Sequence, residues 1–421
     1  MEETLGAVMG EMELDALGSE DEIDTGAEEE WFRREGRQAA ARALGRRWEQ
    51  ADGGAPVCGQ CGGELKNLGA RAKTVQSVCG PVAVRRRVFY CRRCGQTRVP
   101  LDERLGVEGS GLTPGLRRLL CRTALELPYA QSQALLSDTL GFTPCSAREL
   151  ERVAQGHGAR LEPSKEAGSP GPFCRPARAA KPRYGLAIDG TMIPGLVNEE
   201  QHRVEWHEVK IATLFDLRQI EPSFYVASRE DADGFGERLW KSLQDRQISP
   251  DKVGLIVADG APWIWNLVAL HYPQVPQLLD FYHAAEHLHA TATAIWSGAA
   301  AETWWQRRLH ELREGRIEKF FTALRRLART HHPADPATSP QRLLQYFQDH
   351  RPRLRYRWAR DLNLPIGSGT VESAARHIVQ QRLKQSGMRW SDPGAQAILN
   401  LRTCHRNGDF EQYWENYAAS A

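Results

Sequence analysis

Two cysteine pairs at matched spacing, Cys58-x-x-Cys61 and Cys91-x-x-Cys94, constrain this chain more than any other feature. A Cys-x-x-Cys pair puts two thiolates on one tight turn, and two such turns complete a tetrahedral site for Zn²⁺. The stretch between the pairs is longer than the roughly 15–20 residues usual for such sites. A long β-hairpin accommodates it, and "PVAVRRRVFY" (Pro81 to Tyr90) has the composition for one. Gly59, Gly62 and Gly95 supply tight turns. Two matched pairs favour zinc over redox pairs or unrelated cysteines. Four thiolates leave no open coordination position, so the expected metal is structural. Cys79, Cys121, Cys145, Cys174 and Cys404 stand alone and read as ordinary buried thiols.

The net charge of +2 over 421 residues hides a partition. Residues 1–30 carry many Asp and Glu and no Lys or Arg, which reads as a solvated acidic start. The remainder is basic, with Arg85-Arg86-Arg87, Arg325-Arg326 and "RPRLRYRWAR" from Arg351. Arg pairs well with phosphate, so nucleic acid is the expected partner, although solvated helix faces also carry many Arg. No apolar run approaches the roughly 18 residues of a membrane helix. The N-terminus has no basic start followed by an apolar core. Both features predict a cytoplasmic protein and no membrane partner.

Length allows two to four domains. Residues 1–50 read as the acidic start and an Arg/Ala-rich helix from Glu30 to Gln50, and 51–105 as a zinc ribbon. Residues 106–165 read as a helical domain, with three helices between Thr113 and Gly158. Gly141 ends the second, and Ser146 caps the third with Glu149 at capping-box spacing. That order fits a helix-turn-helix or a plain helical hairpin. The neighbouring basic zinc module favours DNA binding, with Arg85, Arg86, Arg87, Arg92 and Arg148 facing phosphate. Residues 166–183 are a Pro/Gly-rich linker.

Past the linker, "YGLAIDG" (Tyr184 to Gly190), "HEVKIATLFDL" (His207 to Leu217), "PSFYVAS" (Pro222 to Ser228) and "VGLIVADG" (Val253 to Gly260) read as strands. Helices are expected at about Phe235 to Arg246 and Ala261 to His271. This predicts a mixed α/β core over 184–283, an all-α insertion over 284–362, and the rest of the core over 363–421.

Three acids fall at the ends of these elements. Asp189 ends the first strand, Asp259 follows the buried run Val253 to Ala258, and Glu372 enters the first turn of a late helix. In open α/β sheets the reactive crevice lies outside the carboxyl ends of strands. Clustered carboxylates repel unless cations bind, and hard oxygen ligands select Mg²⁺ or Mn²⁺. Singly, each acid has an ordinary explanation: Asp-Gly is turn chemistry, and a helix dipole stabilises an N-terminal Glu.

Their order carries a resemblance. A strand Asp, a second Asp after a later strand and a Glu on a distant helix resemble the DDE triad of RNase H-like transposases. "DFYHAAEH" (Asp280 to His287) resembles the D-x-x-H element of Mutator-related transposases. With the cysteine pairs, "AIDGTMIP", "VADGAPWIWN" and "PIGSGTVESA", the chain from Cys58 to its C-terminus resembles bacterial insertion-sequence transposases of the ISKra group. The resemblance implies an RNase H-like core that cleaves and joins double-stranded DNA, both transposon ends and target. It also implies a homo-oligomer, at least a dimer on DNA, in the bacterial cytoplasm and at the nucleoid. Asp189 would bridge two Mg²⁺ or Mn²⁺ ions, with Asp259 on one and Glu372 on the other. Asp280 and His283 are the next candidates, His283 either orienting a phosphate or serving as a structural partner of Asp280.

In the closing stretch, the Gly367-Ser368-Gly369 loop turns the chain and Thr370 is the expected N-cap. Val371, Ala374, Ala375, Ile378, Val379 and Leu383 form the apolar face, leaving Arg376, Arg382, Lys384 and Arg389 for DNA. In the insertion, Trp296, Trp304, Trp305 and Trp358 read as core rather than as base-stacking platforms. Arg307, Arg308, Arg325 and Arg326 are candidates for the DNA backbone.

Overall fold

The computed structural model describes residues 24–53, 57–162, 184–198, 200, 202–220, 222–331 and 336–419. Most of the acidic start, the linker over 166–183 and Cys174 lie outside the described residues. The chain forms two compact units, residues 1–157 with 410–421 and residues 158–409.

In the first unit, α1 (Thr25–Gln50) begins earlier than its composition predicts. The Asp24 carboxylate caps it, accepting from Gly26 N and Ala27 N at 3.1 Å each. The helix lies against a hairpin of β1 (Leu65–Ser77) and β2 (Gly80–Cys91), whose antiparallel register runs from Leu65 opposite Cys91 to Ser77 opposite Gly80. Val75, Val82, Val84 and Val107 form the core there with Ala41, and Leu44 and Trp48 cover it. Burying each such valine contributes about 1.5–3 kcal/mol. A short β3 (Thr97–Arg98) adds to β2, and α2 (Pro100–Arg104) follows.

Three helices come next, as the sequence predicts: α3 (Pro114–Ala124), α4 (Tyr129–Leu140) and α5 (Ala147–Arg160). Gly141 ends α4 in the left-handed region at φ 68°. Ser146 Oγ accepts from Glu149 N at 3.1 Å. The Glu149 carboxylate turns to Arg152 at 2.9 Å rather than closing the capping box. The last helix, α16 (Phe410–Ala419), was expected to complete the α/β core and belongs instead to this unit. Its buried Phe410 and Trp414, the Tyr413 hydroxyl on His157 Nδ1 at 2.7 Å, and Glu411 against Arg118 at 2.7 Å hold it there.

The second unit is built on a five-stranded sheet in the order β6-β5-β4-β7-β8. β4 (Tyr184–Asn198), β5 (Arg203–Asp216) and β6 (Pro222–Ser228) are antiparallel neighbours, while β7 (Val253–Ala258) and β8 (Gln277–Leu279) run parallel to β4. β4 continues past its expected end at Gly190, because Thr191 to Asn198 pair with β5 around a bulge between Pro194 and Val197. The three-residue β8 is too short to leave a periodic signal. β7, buried on both faces, reads as an unbroken apolar run. Two helices, α6 (Ala232–Asp245) and α7 (Pro262–His271), flank β7 in sequence.

The helical insertion comprises α8 (Phe281–Ile295), α9 (Ala299–Arg313), α10 (Ile317–Thr330), α11 (Pro340–Asp349) and α12 (Tyr356–Asp361). Its core is Phe320, Phe321, Leu324, Leu327 and Phe347. Trp296, Trp304, Trp305 and Trp358, expected inside it, are half-buried, because phenylalanine and leucine already fill the helix interfaces.

The closing segment is three pieces rather than one helix: α13 (Gly369–Ala374), a π-helical stretch (Ala375–Gln380) and α14 (Gln381–Leu383). The cap position is Ser368, not Thr370, which lies inside the first turn. Arg402 of α15 (Asp392–Arg406) donates to Ile378 O at 2.7 Å and to His377 O, carbonyls of the π stretch. π turns of this kind occur often beside functional sites.

Candidate active site

Asp189 and Asp259 meet because of strand register. Ile188 of β4 is paired with Ala258 of the parallel β7, so the next residue on each strand is an aspartate. Both are half-buried. Asp189 Oδ1 accepts from Gly190 N at 2.7 Å. Asp259 Oδ1 accepts from Ala261 N at 2.9 Å, the ordinary Asp-Gly turn, and Trp265 Nε1 anchors Asp259 O at 2.8 Å. Burial pushes the Asp189 carboxyl up to about 6, and the charges of Asp259 and Glu372 add to that push against the Gly190 N–H and His283. A carboxyl raised by burial and by neighbouring like charges is one whose anion a bound cation would stabilise.

Asp280 closes the neighbouring corner. It follows β8, with Asp280 N donating to Ala258 O at 2.7 Å, and it is fully buried. Oδ1 accepts from His283 N at 2.7 Å, the N-cap of α8, and Oδ2 accepts from Ser368 N. Phe281 N donates to Ile366 O at 2.9 Å, so two consecutive residues hold the Pro365–Ser368 loop. Burial would raise the Asp280 carboxyl, but these bonds from His283 and Ser368 hold it below the usual range. Gly367 is required here, because a Cβ would lie 2.6 Å from the Tyr282 ring. Both Asp280 oxygens thus accept from backbone N–H groups of the segments they hold.

The loop delivers Glu372. α13 packs on β4 and β5, and Ser368 Oγ lies 3.4 Å from Glu372 Oε1. Glu372 is exposed and offers an oxygen to a cluster with Asp280 and His283 whose donor atoms lie within 4.8 Å of one another. Asp189 and Asp259 do not join Glu372 inside that same radius. A site for two ions does not need them to, since the outer ligands of such a pair sit on different ions. His283 Nδ1 faces Asp280 Oδ1 at 3.5 Å, and the Asp280 carboxylate raises its ring to about 9. His283 thus stands beside Asp280 and Glu372 and feels the charges of Glu286 and Asp259. The donors toward Asp189 are carboxylate oxygens, which fit Mg²⁺ or Mn²⁺.

Sequence reasoning missed Ser368, whose backbone makes the clamp, and Tyr346 of α11. A Cβ on Gly260 would lie 2.3 Å from the Tyr346 ring, which also packs on His287 at 4.3 Å. Nothing in the local sequence places residue 346 beside residue 260.

In the first unit, the four cysteines converge. Cys58 Sγ lies 3.4 Å from Cys94 Sγ, Cys61 Sγ lies 3.5 Å from Cys91 Sγ, and all four sulfurs lie within 4.8 Å of one another. Backbone N–H groups of Cys61 and Gln60, with the Cys94 thiol, hold the Cys58 thiol down to about 6. Soft thiolates in this number fit structural Zn²⁺. Of the isolated cysteines, Cys121 and Cys404 are buried and Cys79 and Cys145 half-buried.

The basic residues divide. Arg85, Arg92, Arg148, Arg376, Lys384 and Arg389 are exposed. Arg86 is instead bonded to Asp102 at 2.8 Å, sharing it with Lys73, and Arg87 pairs with Asp52 at 3.3 Å. Arg382, expected on the DNA face, is 1% exposed and lies over the Trp390 ring at 5.1 Å. It stands four residues beyond the buried Ile378, on the apolar side of the segment. In the insertion, Arg308 is buried against Glu311 at 2.7 Å, while Arg307 and Arg326 are exposed and Arg325 half-buried.

No protein-family model matches the chain. Over 71 residues it is 37% identical to a UPF0236 protein in the vanSb 3′ region of Streptococcus gallolyticus, a match covering 17% of this chain and 16% of that protein. The Drosophila P element transposase strand transfer complex aligns over 75% of this chain and 85% of that chain, at 13% identity and a TM-score of 0.27. A TM-score at that level does not define a common fold. Among the described residues, no helix is long and apolar enough to cross a membrane.

Proposed function

We propose that this protein is a DNA transposase with an RNase H-like core, cleaving and joining DNA ends with Asp189, Asp259 and Glu372 as metal ligands. The observation that carries this reading is the Asp189–Asp259 pair on adjacent parallel strands, with Glu372 brought to the same carboxyl edge of the sheet. The strand order β6-β5-β4-β7-β8, three antiparallel and two parallel, supports the RNase H-like assignment, as does the motif resemblance. Within it, membership of the ISKra group rests on the quoted motifs.

The three carboxylates would hold two Mg²⁺ or Mn²⁺ ions, which supply an activated oxygen nucleophile and neutralise charge on the leaving oxygen of an in-line displacement. Asp189, on whose carboxyl the charges of both Asp259 and Glu372 act, would be the central ligand of the three. Asp280 holds the loop that aims Glu372. His283, cationic beside Glu372, holds a phosphate oxygen of the scissile strand. Arg376, Lys384 and Arg389, none paired with a carboxylate among the described residues, hold the DNA backbone. In the first unit, the zinc ribbon and the α4–α5 helix-turn-helix bind transposon ends through Arg85, Arg92 and Arg148. The working form is an oligomer, at least a dimer on DNA, in the bacterial cytoplasm.

The test is incubation of the protein and Mg²⁺ with DNA carrying the sequences that flank its gene on either side. Cleaved and joined strands are expected from the native protein and neither from Asp189→Asn, Asp259→Asn or Glu372→Gln. Cleaved strands without joining would mean a nuclease. Binding without either would mean a transposase-derived DNA-binding protein. Full cleavage by any of the three variants would sink the assignment of the acids.

A further inference from the structure

The helical insertion carries a hollow of about 680 Å³, remote in sequence from the acids, lined by Trp296 and Trp304 together with Arg307, Lys319 and Arg326. The same two indoles and Arg307 also line an adjoining hollow of about 480 Å³. We infer that this hollow binds an unpaired nucleotide of single-stranded DNA, with its base on the tryptophan faces and its phosphates on the surrounding cations. The inference rests on the nucleic-acid part of the proposed function and adds a subsite to it.

The aromatic walls are set by packing and charge. Trp296 and Trp304 lie 5.5 Å apart at a tilt of 41°, and the His331 ring stands edge-on to Trp296 at 5.2 Å. The Arg308 guanidinium sits 5.5 Å from the Trp304 ring. Arg308 is itself held by two bonds to Glu311, at 2.7 and 2.8 Å, and both side chains are buried. A buried bidentate pair beneath an indole fixes the ring before a ligand arrives, so little side-chain freedom is lost on binding. Yet the indoles are only half-buried, and their exposed surface faces the hollow's lining.

The charge balance points to an anion. Glu311 is neutralised by Arg308, and Glu318 by Arg351. Arg307 is 64% exposed, with its nearest carboxylate oxygen 3.7 Å away. Lys319 and Arg326 have no carboxylate partner among the described residues. Three cations therefore surround aromatic faces. A quaternary ammonium, the other common guest of aromatic walls, is repelled by them. An acidic peptide matches the cations but leaves the indoles without a flat partner. A nucleotide matches both, and the hollow lies within the roughly 300–1,000 Å³ of small-ligand sites. The nucleotide must be unpaired, because duplex bases have both faces stacked on neighbours.

The experiment uses full-length protein and two probes at one fixed salt concentration: a short single-stranded oligodeoxynucleotide containing 2-aminopurine, and its blunt duplex. A change in 2-aminopurine fluorescence with the single strand is expected. Trp304→Ala should weaken single-strand binding about five- to a hundredfold, the worth of one base–aromatic stack, and duplex binding less than twofold. Lys319→Glu with Arg326→Glu should weaken single-strand binding and reduce its salt dependence. These exposed changes carry the test if Trp304→Ala fails to fold. Equal losses on both probes, unchanged single-strand binding, or equal displacement by a poly-glutamate peptide would overturn the inference. Metal-dependent cleavage is read separately. Cleavage without a base-stacking signal removes this subsite alone, and stacking without cleavage removes the catalytic reading alone.

Discussion

The buried carboxylate of Asp280 accepts the backbone N–H of Ser368, tying the end of the third parallel strand to the loop that opens the Glu372 helix. The same carboxylate caps α8 through His283 N. One side chain thus fixes the relative placement of a sheet edge, the start of the insertion and the third acid. Asp280→Ala should lose the cap and the loop clamp together. A lost cap costs about 1 kcal/mol, and a charge-assisted bond left unmade costs about 1.5–3 kcal/mol more. The expected outcome is a fall in unfolding free energy of roughly 2–4 kcal/mol in urea denaturation. DNA cleavage should fall at temperatures where the variant is still folded, because Glu372 is no longer aimed. Unchanged stability would show that the clamp is not made in solution.

Asp189 leads to the opposite stability effect. Its folded-state acid strength is weakened to about 6 by burial and by its neighbours, so its charged form opposes folding at neutral pH in the absence of cations. Asp189→Asn removes that opposition. The metal-free variant should be as stable as the native protein or more so, by up to about 1–2 kcal/mol after allowing for solvent access. Native protein should gain thermal stability on addition of Mg²⁺, and the variant should gain much less. Thermal melts with and without Mg²⁺ make both comparisons. An equal Mg²⁺ response in the two proteins would remove Asp189 from the ligand set.

The two aspartates were legible in the sequence because each ends an alternating or continuous apolar run, and register between parallel strands then makes them neighbours. Glu372 was legible as a helix-start acid, but the π stretch after it was not, since no residue type marks an i+5 turn. Arg382 was misplaced by its charge: four residues beyond Ile378 and seven beyond Ala375, it falls on the apolar face of an α-helical wheel, away from Arg376 and Lys384. Arg86 and Arg87 were misread for another reason. Their acid partners, Asp102 and Asp52, lie elsewhere in the chain, and a run of arginines does not announce them. The motif around Asp280 showed a carboxylate but not the backbone amides of His283 and Ser368 that bond to it.

Arg382 and Lys384 should separate cleanly in mutation. Arg382→Ala removes a buried guanidinium from the Trp390 ring and from Met388 Sδ, 3.6 Å away, and leaves a cavity. A stability loss of about 2–4 kcal/mol is expected. DNA affinity of the folded fraction should change little. Lys384→Ala should leave stability within about 0.5 kcal/mol. It should lower DNA affinity and reduce the slope of log affinity against log salt by about one phosphate contact. Denaturation curves and salt titrations of binding distinguish the two, and a reversed pattern would return Arg382 to the DNA face.

Cys58 tests the metal in the first unit. Its thiol is already held down to about 6 by backbone N–H groups, so it is ready to bind as a thiolate at neutral pH. With Cys61, Cys91 and Cys94 within 4.8 Å, one Zn²⁺ per chain is expected by elemental analysis of native protein. The hairpin β1–β2 carries the two Cys-x-x-Cys turns at this end, with Leu65 paired to Cys91 beside them. Cys58→Ser leaves three thiolates, and zinc content should fall well below one per chain. Proteolysis should then cut between Cys58 and Arg98 while the second unit, whose core includes none of these residues, keeps its protection. Chelation of the native protein should produce the same cleavage pattern, and Zn²⁺ should reverse it. Full zinc content in Cys58→Ser would exclude a four-thiolate site. A native protein purified without metal, and equally resistant to protease, would exclude a structural role for zinc.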